Sequence, residues 1–172
     1  MTYMVALGVG VTAMIRVGNE KGRGDFVSLR RVAISTFLLI FLMDFLFCLF
    51  FVCTHDILPW LYLNGNTPNI TSDVAEVVQI ASNLILIAAF FQIADGVQAV
   101  VLGALRGIQD VSIPALLIFI SYGLVGFPIS YFLGLEILWG ASGIWIGLLS
   151  GLTLSALLLV LRFHYLTKKL VS

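Results

Sequence analysis

Long apolar runs separated by short polar breaks dominate this chain. A helix needs about 20 mainly apolar residues to cross a bilayer, with a range of roughly 17–25. Four runs meet that test. Val32–Thr54 is interrupted only by the charge of Asp44, and Val77–Leu105 only by that of Asp95; Ile113–Leu135 and Trp139–Leu161 carry no charge. A fifth run, Thr2–Ile15, is apolar but about two-thirds of a span long. It is either a truncated membrane helix or a peripheral one, and the basic segment that follows it favours truncation. The pattern predicts helices over residues 2–16, 30–54, 76–105, 112–135 and 139–163. Between them, Arg16–Arg31, His55–Glu76, Gly107–Ser112 and Glu136–Leu138 read as connections; the second holds the turn formers Asn64, Gly65, Asn66 and Pro68.

Charge turns this list into a topology. All nine basic residues fall in alternate connections: Arg16, Lys21, Arg23, Arg30 and Arg31 in the first, Arg106 by the third, and Arg162, Lys168 and Lys169 in the tail. The second and fourth hold Asp56, Asp73, Glu76 and Glu136 instead. Basic connections stay cytoplasmic. The expected chain is therefore multi-pass in a plasma (inner) membrane, N-terminus outside and C-terminus cytoplasmic. A missed or extra crossing would break the alternation, so the segregation itself supports about five spans. Trp60, Tyr62, Trp139 and Tyr165 lie near span ends, where such rings favour the headgroup level.

Composition narrows the class further. The chain is 60% hydrophobic and 10% charged, against about 45–50% and 25% in soluble domains. The expected fold is an all-α membrane protein with the lipid bilayer as its main partner. A net charge of zero gives no reason to expect nucleic acid. Cys48 and Cys53 sit in one apolar run at a spacing that makes them diverge on a helix, which argues against a mutual disulfide. No zinc-type spacing occurs, and neither His55 nor His164 belongs to a ligand cluster. No phosphate-binding loop, catalytic triad or paired-carboxylate motif is present, so an enzyme is not expected, and no cofactor is implied. Met1 opens directly into an apolar run without a basic region or cleavage site, which suggests a start inside a larger protein.

The candidate chemistry lies in the interrupted spans. A charge at membrane depth costs about 2.5–3.5 kcal/mol on insertion scales, and such residues face a bundle interior or a water-filled cavity. Asp95 has Gln92 and Gln98 each three residues away, spreading three polar groups over about a third of the helix circumference. Next to it, Gly96 admits a neighbouring backbone. A carboxylate flanked by amides can coordinate Na⁺ through oxygen or take up a proton; a plain interhelical hydrogen-bond node is the alternative. Asp44 is a possible secondary intramembrane acid. Its own helix offers only Ile40, Phe41, Phe47 and Cys48 at the neighbouring turns, so its partner must come from another helix. Gly143, Gly147 and Gly151 form a small-residue stripe for close helix packing, and Pro128 invites a kink.

Four segments, Thr12 to Arg31, Phe91 to Pro114, Tyr122 to Tyr131 and Gly143 to Gly147, together resemble the MATE family of multidrug and toxic compound extrusion transporters. Thr12 to Asn19, with Gly22, Gly24-Asp25 and Arg30-Arg31, looks like the second helix and following loop of one of its half-units. Phe91-Gln92 through Asp95-Gly96-Val97-Gln98, then Gly103 to Gly107, Asp110 and Pro114, resembles its tenth helix and the loop after it. Tyr122, Gly126-Phe127-Pro128 and Tyr131 are similar to its eleventh helix, and Gly143 to Gly147 to its twelfth. Gln109 and Val111 depart from the pattern, standing where that loop usually has Gly and Thr.

The resemblance implies most of one six-helix lobe of a twelve-helix transporter, the C-terminal one. It implies that Asp95 matches a cation-site aspartate, with Na⁺ or H⁺ as coupling ion and small organic cations as substrates. The N-terminal lobe and the seventh helix are then missing partners. A lipid-linked oligosaccharide flippase of the same superfamily and a non-transporting membrane fragment are the alternatives.

Overall fold

The computed structural model describes residues 2–63, 72–137 and 139–171. Its elements are α1 (Thr2–Arg23), α2 (Phe26–Thr54), α3 (Ile57–Leu63), α4 (Ser72–Gly107), α5 (Ser112–Ile120), α6 (Phe127–Tyr131) and α7 (Gly140–Val171). One π-helical stretch, Ser121–Gly126, joins α5 to α6, and a second, Phe132–Glu136, extends α6, making one continuous rod over Ser112–Glu136. Among the described residues, four helices are long and apolar enough to cross a membrane: Phe26–Thr54, Val77–Gly107, Ser112–Glu136 and Gly140–Leu170. Only 17–33% of the positions in their apolar windows are buried. The rest, such as Leu38, Phe45, Phe119 and Leu161, present bare hydrocarbon outward. An outer surface of this kind suits lipid and not water, so the chain is a multi-pass membrane protein.

Helix ends differ from the expected ones for a physical reason. The basic segment Arg16–Arg31 is helical except at Gly24 and Asp25. Hydropathy marks where a helix leaves hydrocarbon, and Arg, Lys and Glu are good helix formers beyond that point. The break is made locally: Gly24 adopts φ +72°, and the Asp25 side chain accepts from Ser28 N at 2.9 Å to start α2. The second connection contains α3, and α4 has already begun at Ser72. Asn64, Gly65, Asn66 and Pro68 lie outside the described residues, as do the side chains of Trp60, Tyr62, Asp73 and Glu76. Trp139 and Tyr165 are exposed beside span ends. Cys48 is buried, Cys53 is exposed, and both are free thiols.

Small residues bring the rods together around α4, which packs on α1, α2 and α7. The buried face of α1 is Ala6, Gly10, Ala13 and Val17. It meets Gly103 and Gly107 of α4 so closely that a Cβ on Gly107 would come within 2.6 Å of Met14 O, and one on Gly103 would overlap Gly10 O. Gly143, Gly147 and Gly151 of α7 lie against Leu133, Ser130 and Gly126, so their neighbour belongs to the same chain. Ser130 Oγ donates to Ile144 O at 3.0 Å across that contact. Pro128 sits in the first turn of α6, directly after the first π-helical stretch. There Phe127 N donates to Tyr122 O, five residues back, so the interruption spreads through a widened turn. The apolar core, with Leu29, Ile40, Val100, Leu105 and Leu159, is sealed by Phe37 packing edge-on to Phe163 at 5.3 Å.

The C-termini of α1, α4 and α7 meet at one end of the bundle. Lys21 Nζ donates to Ile108 O at 2.7 Å and to Gln109 Oε1 at 3.0 Å. Arg162 Nε donates to Asp110 Oδ2 at 2.9 Å. Gln109 holds φ +67° within this clasp, the left-handed region that favours glycine.

Candidate functional site

The middle of α4 carries polar groups on two sides. Gln92 and Gly96, one helical turn apart, face α2 at the level of Asp44. Asp44 is 1% exposed, and its carboxylate lies against Gly96, where a Cβ would overlap Oδ2. Gly96 therefore admits a side chain, and not the neighbouring backbone expected there. Gln92 Nε2 donates to Asp44 Oδ1 at 3.3 Å, and Thr2 Oγ1 donates to Gln92 Oε1 at 2.8 Å. A one-way line of donors thus runs from α1 through α4 to α2. Asp44 Oδ2 is buried and receives no hydrogen bond from the described residues.

Asp95 is half-buried and within electrostatic range of both Asp44 and Tyr122. Gln98 lies beside Tyr122, and its Oε1 is a second buried oxygen without a donor among the described residues. On this side Phe91 packs edge-on to Trp145 at 5.6 Å, fixing α4 against α7. Gln92, Asp95 and Gln98 do not close on one point: Gln92 is engaged by Asp44 and Thr2, while Gln98 borders Tyr122. Asp44 is what extends the constellation toward α2.

Thr2 and Tyr122 are the site neighbours that sequence reasoning left without a role. No signal along the chain marks them, because both arrive through the rotation of one helix against another. The available donor set is two carboxylates and amide oxygens, which suits a proton or a hard monovalent cation. Among the described residues no group of three or more His, Cys, Asp or Glu side chains is placed to hold a metal ion.

The family model MatE matches residues 1–132. The chain belongs to the MatE family. It is 35% identical over 169 residues to the probable multidrug resistance protein NorM of Agrobacterium fabrum, covering 98% of this chain and 36% of that protein. The probable multidrug resistance protein NorM of Rhodopseudomonas palustris is 38% identical over 166 residues, covering 96% and 34%. The multidrug resistance protein NorM of Burkholderia vietnamiensis is 38% identical over 173 residues, covering 100% and 36%. The MatE chain therefore spans about a third of the length of these relatives.

Two solved structures share its fold. The eukaryotic MATE transporter AtDTX14 superposes with a TM-score of 0.82 at 22% identity, over 98% of this chain and 37% of that one. An inward-facing multidrug resistance MATE family transporter of the MOP superfamily gives 0.78 at 13% identity, over 98% and 38%. Both neighbours are transporters.

Proposed function

We propose that the complete protein is a secondary active antiporter exporting small organic cations in exchange for Na⁺ or H⁺, and that this chain carries its coupling site. The observation that carries the reading is the buried Asp44 carboxylate, with an oxygen lacking any donor, packed onto the Gly96 turn beside Asp95. Leaving such a group uncompensated in hydrocarbon is costly, and residues of this kind mark ion and proton pathways. Coupling sites in secondary transporters lie near the bilayer midplane, and Gln92 is the central residue of the Val77–Gly107 span. The names of the NorM relatives, multidrug resistance proteins, support export as the activity.

In this reading Asp95 is the primary cation-binding or proton-coupling group and Asp44 the second acid. Gln92 holds Asp44 in place through its amide, with its own orientation set by Thr2. Gln98 contributes the second unpartnered oxygen. The ion, when bound, supplies positive charge that neutralises the carboxylates. The chain forms most of the C-terminal lobe, with the N-terminal lobe and the seventh helix completing the cavity. The convergence of basic helix ends supports a cytoplasmic C-terminus, an outer N-terminus and residence in a plasma (inner) membrane.

Export of a cationic dye by the full-length protein tests this. Asp95→Asn is expected to abolish ion-coupled efflux while leaving the protein in the membrane at its normal level. Full efflux by that variant overturns the reading.

A further inference from the structure

The outward face of α2 holds a feature unrelated to the polar centre. A groove of about 360 Å³ is lined by Val27, Arg30, Arg31, Ile34 and Ser35. These positions recur every three to four residues, so they share one face of the helix. That face turns away from the bundle: Val27 is 59% exposed and Ile34 44%. Below the groove the same side continues as bare hydrocarbon through Leu38, Leu42, Phe45 and Leu49, all exposed. The two arginines thus stand where the basic end of the bundle meets its apolar wall. Lys21 and Arg162 are engaged within the clasp, and Arg23 pairs with Glu20. Arg30, in contrast, has no ion pair among the described residues, and Arg31 has only the field of Asp25.

We propose that this face of α2 binds one anionic phospholipid, its phosphate on Arg30 and Arg31 and an acyl chain along Ile34, Leu38 and Leu42. Guanidinium groups match phosphate oxygens with paired N–H donors, which a zwitterionic headgroup partly cancels through its own cation. The Ser35 hydroxyl is already given to Arg31 O, so the arginines supply the recognition. From Arg31 to Phe45 the helix rises about 21 Å, more than the roughly 15 Å depth of half a hydrocarbon core. Charge complementarity at the top and an unbroken apolar strip below select a lipid over a free anion, which has no use for the strip.

The test places a photo-crosslinking benzophenone amino acid at Ile34 of the full-length protein. The host membrane contains equal amounts of phosphatidylglycerol and phosphatidylcholine. At about a fivefold gain for each arginine near the surface, the captured lipid should favour phosphatidylglycerol about 25-fold. Arg30→Gln with Arg31→Gln should return capture to the bulk ratio, while the paired Lys substitutions, which keep the charge but not the paired donors, should leave an enrichment between the two. Excess inorganic phosphate should leave it unchanged. Capture at the bulk ratio in the unsubstituted protein overturns the proposal, as does crosslinking to a protein segment or loss of enrichment on adding phosphate.

Discussion

The acids at the basic end of the bundle and the acid at its centre are treated in opposite ways. Asp110 is met by Arg162 at 2.9 Å, and Asp25 accepts the backbone N–H of Ser28 at 2.9 Å. Asp44 is the most buried of the three, yet among the described residues its only donor is an amide at 3.3 Å, and its second oxygen has none. Asp25 is exposed and Asp110 partly so, whereas Asp44 is not, so provision runs opposite to need. In its ionised form Asp44 would be an uncompensated buried charge, which is strongly destabilising. The contrast separates carboxylates that secure the ends of helices from one that is buried with little to satisfy it.

The largest expected effect comes from closing the gap in which Asp44 sits. Gly96→Ala puts a methyl group where Oδ2 lies. Overpacking of this kind costs about 1–3 kcal/mol, which thermal or denaturant unfolding of the purified protein would read. Adding Asp44→Ala should recover most of that stability without restoring efflux. No recovery would mean that Gly96 answers to the α2 backbone and not to the carboxylate.

Asp44→Asn comes next and acts in the other direction. It keeps the shape and the Gln92 bond while removing the charge. Replacing buried charge by a neutral group of similar volume is often stabilising, by about 1–4 kcal/mol for whole ion pairs and networks. A gain near the low end, about 1 kcal/mol, with weakened efflux is the expected pair of results. A less stable variant with normal efflux would make Asp44 a structural node and erase the contrast with the basic end.

How much of this contrast is legible along the chain depends on whether the signal is local. The spans are legible because each is a property of consecutive residues, and the segregation of basic residues because charge is counted within connections. Asp44 and Asp95 stand out as charges in apolar runs. What is not legible is rotation about the helix axis. Gln92 and Gln98 flank Asp95 symmetrically in sequence, yet Gln92 is turned to Asp44 and Gln98 to Tyr122. Only the meeting of α4 with α1 and α2 on one side, and with Tyr122 of the Ser112–Glu136 rod on the other, decides which lies where. Helix ends are obscured for a different reason: Arg16–Arg23 looks like a loop on hydropathy but continues α1 as ordinary helix outside the apolar layer. The departure at Gln109 has structural content, because it places a residue with a Cβ at φ +67°.

The clasp supplies smaller effects. A double-mutant cycle on Arg162→Gln and Asp110→Asn should give a coupling of about 1 kcal/mol, in the range of partly exposed charge-assisted pairs. Salt should weaken it. At Gln109 the comparison of interest is Gly against Ala: Gln109→Gly should be more stable than Gln109→Ala by about 1 kcal/mol, the usual penalty for a Cβ in the left-handed region. Equal stabilities would show that the clasp does not hold that backbone conformation in solution.

Asp25 gives the smallest effect and the sharpest contrast with Asp44. Hydrogen bonds from Ser28, the backbone N–H first, hold its carboxyl below the usual carboxylate value of 3.8, with the Arg31 charge adding a minor push the same way. A depressed native value means that the unfolded chain binds the proton more readily than the folded one. The cap's contribution is therefore fully present above the ordinary carboxylate range. It fades as pH falls toward the lower native value, where the folded state is protonated as well. Asn also caps helices and does not titrate. Asp25→Asn should thus leave stability at neutral pH nearly unchanged and remove one acid-sensitive component below about pH 4. Hydrogen exchange at the Ser28 amide, compared between the two proteins at pH 7 and pH 3, isolates that component from other carboxylates. Equal acid sensitivity of that amide in both proteins would show that Asp25 does not cap α2, and that the basic end is held together without it.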